Sequence, residues 1–188
     1  MKTSFRSLLL ITLFTALLPS TSQAYTRGVY DNPGLARYEA KVMGDLIDQL
    51  YAATVLNQLW EERTIHEEKK TAFQQLVQQN QMEIQTLTKW LQEWYGVTHE
   101  PRLRGAIAQQ ARSLSRLSLD RFEMRFLLAM IRHQNRTALL AEQAGIRARS
   151  SYLTQFVPGL ATASKGQADS LTQWLCYWYQ ICPRAVRP

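Results

Sequence analysis

Histidine is scarce in this chain of 188 residues, with three copies, and cysteine scarcer still, with two, which leaves little for a metal centre built of imidazole and thiolate. No Glu-x-x-His pair occurs, so the inward carboxylate and histidine set of a di-iron bundle is missing and ferroxidase chemistry is not expected. No segment alternates apolar and polar residues for long enough to read as a strand. No glycine loop suited to phosphate and no nucleophile with an adjacent base can be placed, and the chain is therefore not expected to be an enzyme. Basic and aromatic residues are not interleaved as single-stranded nucleic acid requires, so no nucleic-acid partner is expected.

The one strongly apolar run lies at the start. Lys2 and Arg6 precede Leu8 to Leu18, and Pro19 and the small-residue ending Ser22-Gln23-Ala24 follow. This pattern reads as a secretory signal peptide, residues 1–24. A membrane anchor needs about 18 apolar residues, and Pro19 to Gln23 interrupt the run too early, so no transmembrane anchor remains after cleavage. Removing 24 of 188 residues leaves 164, read as one helical-bundle domain over 25–188, and it lowers the net charge from +7 to +5. The expected location is outside the cytoplasm, periplasmic or secreted. Basic residues collect at Arg102, Arg104, Arg112, Arg116, Arg121, Arg125 and Arg132, read first as a solvated helix face and second as a surface for an acidic partner or anionic lipid.

What the chain has in quantity is itself. Leu87-Thr88-Lys89-Trp90-Leu91 and Trp94-Tyr95 return as Leu171-Thr172-Gln173-Trp174-Leu175 and Trp178-Tyr179, a shift of 84. The same shift carries Arg37-Tyr38-Glu39 onto Arg121-Phe122-Glu123, Ile47 onto Ile131, Leu56 onto Leu140 and Arg63 onto Arg147. Repeat one covers about 35–95 and repeat two about 119–179.

Four segments carry helical periodicity. They span about 35–62 (Tyr38, Val42, Leu46, Ala53, Leu56, Trp60), 68–95 (Phe73 to Trp94), 119–147 (Phe122, Phe126, Met130, Leu140, Ala144) and 160–179. The third opens with Asp120 and Glu123 in a capping-box arrangement. Breakers fall at Asn32-Pro33-Gly34, at Gly96 and Pro101, and at Pro158-Gly159. Residues 100–118 read as a short extra helix with Pro101 in its first turn. A hairpin with one apolar stripe per arm cannot bury itself, so the expected fold is all-α: a four-helix, ferritin-like bundle of two duplicated hairpins plus a short connecting helix. Trp90, Trp94, Trp174 and Trp178 are expected to supply most of its stability. The hairpins can close on each other or exchange between chains through residues 96–118, which leaves a homodimer open.

Each helix also places a polar residue on its apolar stripe: Gln49, Asn80, His133 and Ser164. The shift of 84 pairs Gln49 with His133 and Asn80 with Ser164, so they must meet one another, water or a ligand. Glu83 joins them as a polar core candidate. A soft metal is the one to consider, because His133 has Met130 and Met124 nearby on the same helix and thioether sulfur suits Cu(I). Core packing is the competing role for those methionines. Cys176 and Cys182 read by default as a disulfide, with a helix ending near Tyr179 and a tail folding back before Pro183; a free thiol pair or an intermolecular bridge are the alternatives.

At these residues the chain resembles the secreted helical bundles known as the domain of unknown function 305 family, relatives of ferritin-like bundles. Glu123, Phe126, Met130, Ile131 and His133 match one part of its pattern, and Glu83, Ile84 and Trp90 match another. The resemblance implies a periplasmic bundle, and for some members copper binding. It departs where metal ligands stand: Gln134 replaces a second histidine, Leu140 and Leu87 replace methionines, Gln49 occupies the histidine position of repeat one, and Gln167 replaces a glutamate. The reading that follows is an exported, non-enzymatic binding or interaction protein with an unidentified protein partner and no cofactor. Its alternative is weak copper binding, for storage or tolerance, through His133, Met130 and Met124.

Overall fold

The computed structural model describes residues 33–182, and among them it contains five helices and no strand. We number them α1 (Pro33–Arg63), α2 (Glu67–Tyr95), α3 (Gly105–Ser115), α4 (Leu119–Arg147) and α5 (Ser151–Tyr179). The expected signal peptide, residues 1–24, and its expected cleavage point lie outside these residues. α1 packs on α2 and α4 on α5 as two hairpins, joined chiefly by α1 against α4, with α3 lying on both α1 and α4. No described helix is long and apolar enough to cross a membrane.

Local chemistry explains most of the boundaries. α2 starts with Glu67 and Glu68 in its first turn, where carboxylates favour the exposed N–H groups. It ends at Gly96, whose φ of 63° is left-handed, with Val97 N–H donating back to Leu91 O at 3.3 Å. The duplicate of Gly96 is Gln180, the only described non-glycine with positive φ, at 56°. There the chain turns back and Cys176 bonds to Cys182, as the spacing led one to expect.

Three sequence expectations require correction. α5 begins at Ser151 rather than near 160, and Pro158 sits inside it. A proline there removes one helical hydrogen bond and costs about 3 kcal/mol. The helix nevertheless continues because Leu153 and Val157 before the proline, and Leu160 and Ala161 after it, are all buried on one side while Pro158 faces solvent. The Ser150 side chain also caps the new start by accepting from Leu153 N–H. α3 begins at Gly105, so Pro101 lies ahead of it in a non-helical segment. Glu123 forms no capping box; it is 1% exposed and serves a different purpose.

Glu39 and Glu123, an 84-shift pair, tie the two hairpins together. Glu39 Oε1 accepts from the backbone N–H groups of Arg149 (2.5 Å) and Ser150 (3.0 Å), in the α4–α5 loop, and its Oε2 accepts from Tyr95. Glu123 Oε1 accepts from Ile65 N–H (2.8 Å) and Thr64 Oγ1 (2.7 Å), in the α1–α2 loop, and its Oε2 accepts from Tyr179 at 2.8 Å. Each glutamate thus binds the last tyrosine of its own hairpin and the turn of the other. Because Glu39 near the start of α1 meets the chain just after α4, the two helices run antiparallel about an internal twofold axis. The same axis relates Arg63 over the Phe122 ring (4.5 Å) to Arg147 over the Tyr38 ring (5.9 Å).

The apolar core has two parts. One contains Val42, Met43, Leu46, Leu87, Leu91 and Trp90; the other gathers around Trp60, with Phe73, Phe122 and Phe126. Trp60 is wholly buried, its ring centre 4.8 Å from Phe126 and 5.0 Å from Phe73. Of the four tryptophans that define the repeat, only Trp90 is buried, while Trp94, Trp174 and Trp178 are half-buried at the bundle ends. The largest single aromatic contribution therefore belongs to Trp60. Trp60→Ala should lower unfolding free energy by about 3–5 kcal/mol, and Trp94→Ala by less, in urea titrations followed by circular dichroism. Equal losses at the two positions would contradict the burial.

Candidate functional site

Where the twofold axis crosses the core, the packing turns polar. Gln49 from α1, Asn80 and Glu83 from α2, Gln134 and Thr137 from α4, and Ser164 and Gln167 from α5 surround one cavity, closed off by Leu50, Ala53 and Leu160. The room for a water's centre inside is about 10 Å³, enough for one molecule. Gln134 donates to Gln167 Oε1 at 2.7 Å, Gln79 donates to Glu83 at 2.7 Å, and Thr137 donates to the His133 carbonyl at 3.2 Å. Among the described residues Gln49 Oε1 and Asn80 Nδ2 are buried without a hydrogen-bond partner, as are, away from the chamber, the Asn57 amide and Trp60 Nε1. Each such atom costs about 1–3 kcal/mol unless a guest meets it. Burial raises the Glu83 pKa, since the chamber disfavours its charge.

The structure thus brings Gln49, Asn80, Glu83 and Ser164 to one chamber, and sets His133 beside it. His133 is 6% exposed and its Nε2 lies 3.0 Å from the carbonyl oxygen of Gln49, its own 84-shift partner. A carbonyl cannot donate, so Nε2 carries the hydrogen and Nδ1 holds the lone pair. Burial, aided slightly by Arg136, lowers the His133 pKa from 6.5 to about 4 and outweighs the carbonyl contact, which acts the other way. Met130 is buried within the Trp60 cluster and Met124 packs half-buried against it.

Copper can be weighed against these donors. The chamber offers amides, hydroxyls and one carboxyl, a hard set that does not fit Cu(I). Outside it, the soft donors that the sequence brings together on α4 are the His133 Nδ1 lone pair and the thioethers of Met130 and Met124, the two methionines belonging to the Trp60 cluster. Among the described residues no three histidine, cysteine or acidic side chains gather as a metal cluster.

The other two histidines have packing partners. His66 stacks on Trp178 with ring centres 3.7 Å apart, and its Nε2 lies 3.3 Å from Glu123. His99 Nε2 lies 2.8 Å from Asp48 Oδ1 on α1. Asp48 also accepts from Arg102 N–H (3.0 Å) and Arg104 Nε (3.0 Å), while Arg104 pairs further with Asp45. This clamp pins the crossover between the hairpins. Gly44 makes it fit, because a Cβ there would meet the His99 ring at 3.2 Å. His99 and the two arginine contacts hold the Asp48 pKa below its ordinary value against the opposing effect of burial. The remaining arginines of the basic group are exposed.

Sequence reasoning missed Asp48 and the two glutamates as tethers. For Asp48 no signal existed, because its partners come from the unduplicated crossover. For Glu39 and Glu123 the signal was present: an acid kept in both repeats on an otherwise apolar stripe, with Tyr95 and Tyr179 kept beside it.

No family model matches the chain, and no curated protein matches it in sequence. Among solved structures it is similar to "CopM in the Cu(I)-bound form", with a TM-score of 0.66 and 14% identity over 75% of this chain and 97% of that one. At that identity the likeness shows the helical-bundle fold alone, a fold that a copper-bound protein also uses.

The lowered His133 pKa carries a consequence for stability. Below pH 6.5 the unfolded chain takes up a proton that the folded chain refuses until about pH 4, so stability falls as pH falls through that window. The full loss is about 3 kcal/mol. Glu83 acts in the opposite sense, losing stability as pH rises above its ordinary value of 4.5. Comparing the wild type with His133→Gln cancels that effect, because both carry Glu83. The difference between their denaturation curves should open steadily from pH 6.5 to 4, and parallel curves would show that His133 is not buried neutral.

Proposed function

We propose that the protein is an exported, non-enzymatic binding bundle whose central chamber holds one small, hard guest, an ion or a water in its place. The observation that carries this reading is that two of the buried atoms unpartnered among the described residues, Gln49 Oε1 and Asn80 Nδ2, belong to side chains lining a one-molecule cavity between two duplicated hairpins. Asn80 turned by half a rotation offers oxygen instead of nitrogen. Glu83 supplies the one titratable charge. A cation would favour its ionised form, against the burial that raises its pKa. Export is supported by the leader-like first residues and by the Cys176–Cys182 bond, which suits an oxidising compartment.

A second reading, copper handling, is favoured by one specific finding: the similar fold of a protein solved with Cu(I) bound. Here it would use the His133 Nδ1 lone pair with Met130 and Met124, in keeping with the resemblance to secreted copper-binding bundles.

One set of melts separates the two. Thermal unfolding of the processed chain is followed with sodium, potassium, calcium, magnesium, Zn(II), Cu(II) and Cu(I), alongside Glu83→Gln and His133→Ala. An ion at 100 times its dissociation constant adds about 2.7 kcal/mol. For the chamber reading, a hard cation gives that shift and Glu83→Gln abolishes it while His133→Ala does not. A copper shift lost in His133→Ala would transfer the function to the second reading. A chain indifferent to every ion would sink ion binding at both places.

A further inference from the structure

The outer face has two grooves between α1 and α4, related by the internal twofold, and the chain fills one of them. α3 lies along the first, with Ile107 and Leu114, two turns apart, buried in the Trp60 cluster. Arg63 donates to the carbonyls of Leu114 (2.8 Å) and Leu117 (2.5 Å) at the end of that helix. Shifting by 84 turns the residues of this groove into those of the second: Ala52 becomes Arg136, Val55 becomes Leu139 and Leu59 becomes Gln143. Ala52 is 0% exposed, whereas Arg136 is exposed and Leu139 is 54% exposed. The second groove, about 240 Å³ between Asp45, Arg104, Arg136, Leu139 and Gln143, has no described helix lying over it; Arg104, from the segment ahead of α3, lines its edge and pairs with Asp45.

We propose that this second groove docks a helical segment of a partner protein, about three turns long, with two apolar side chains seven residues apart and an acidic residue at its N-terminal end. α3, with its eleven residues, is the template for shape. The charges come from the places where the two grooves differ. Asp48, which takes Arg104 just before α3, has exposed Arg132 on α4 as its 84-shift duplicate, so a segment docked in the duplicate manner needs an acid where the α3 segment carries Arg104. An acid at that place is also favoured by the helix N-terminus itself. Arg147, the duplicate of Arg63, lies over Tyr38 with no carbonyl to bind and is free to take the carbonyls at the docked helix's end. Among the described residues neither Arg132 nor Arg136 has a carboxylate within ion-pair distance, and Leu139 stands ready to be covered. This surface goes beyond the chamber reading and does not depend on which guest, if any, the chamber holds.

The test uses the full exported chain carrying Leu139→Cys with its native disulfide intact, and reads the rate of maleimide labelling at that thiol. The probe is a synthetic peptide copying residues 103–117 with Arg104→Glu, and the control is the same peptide unaltered. We expect rapid labelling of a monomeric chain, slowed about tenfold or more by the acidic peptide, with the control needing at least about tenfold higher concentration for the same effect. Arg132→Glu in the protein should reverse that preference, and as an exposed site it leaves the fold intact. Labelling unchanged by the acidic peptide would overturn the proposal. So would labelling already slow without it: in a monomer this places the chain's own residues ahead of Pro33 in the groove, and in a dimer it places a second copy there.

Discussion

A carboxylate withdrawn from water must find donors, and Glu39 and Glu123 find theirs in both hairpins at once. Each holds the turn of one hairpin with one oxygen and the last tyrosine of the other with its second oxygen. The result is a pair of cross-ties at opposite ends of the bundle. They set how far α1 slides along α4, and that register decides which side chains meet at the middle. Hydrogen bonds to a charged group contribute about 1.5–3 kcal/mol each, but the larger effect is specificity, since a slip by one turn would strand two buried acids at once.

The chamber depends on that register. Gln49, Asn80, Gln134 and Ser164 meet only because the two hairpins cross at their midpoints, and an apolar set there would pack at lower cost. Keeping polar groups in the centre of a duplicated core sacrifices stability for a place where something polar can sit. The histidine beside it is held neutral and aimed at a backbone carbonyl, so its lone pair rests on the other ring nitrogen. The chamber's oxygen donors come from four helices and His133 lies beside them on α4, so the two functional readings concern neighbouring but separable side chains.

Much of this was legible in the sequence. The 84 shift set out both hairpins, their antiparallel packing and the polar positions, because duplicated stripes have to face each other. Pro158 misled, since a local breaker rule cannot weigh the buried residues that hold the helix on both sides of it. The tryptophans misled for a related reason: repetition marks what both halves need, and the bundle ends need half-exposed rings stacked on tyrosine and histidine. Trp60, whose counterpart is Ala144, has no twin and so no repeat signal, yet it is the centre of the aromatic end. The Asp48 clamp joins α1 to the unduplicated crossover, a contact across about fifty residues that periodicity does not report.

The meeting of His133 with the backbone of Gln49 has a further meaning for lineage and assembly. Two identical hairpins related by a true twofold would place the same residue on both sides of the axis, and that residue would have to be its own complement. Two histidines or two glutamines would face each other there, and any change would be doubled. Joining the hairpins in one chain removes that rule at a single stroke. One side of the axis is now free to carry a histidine and the other a glutamine, and one outer groove can be closed by a linker helix while no described helix lies over its twin. The crossover that connects the halves is therefore also what permits them to differ.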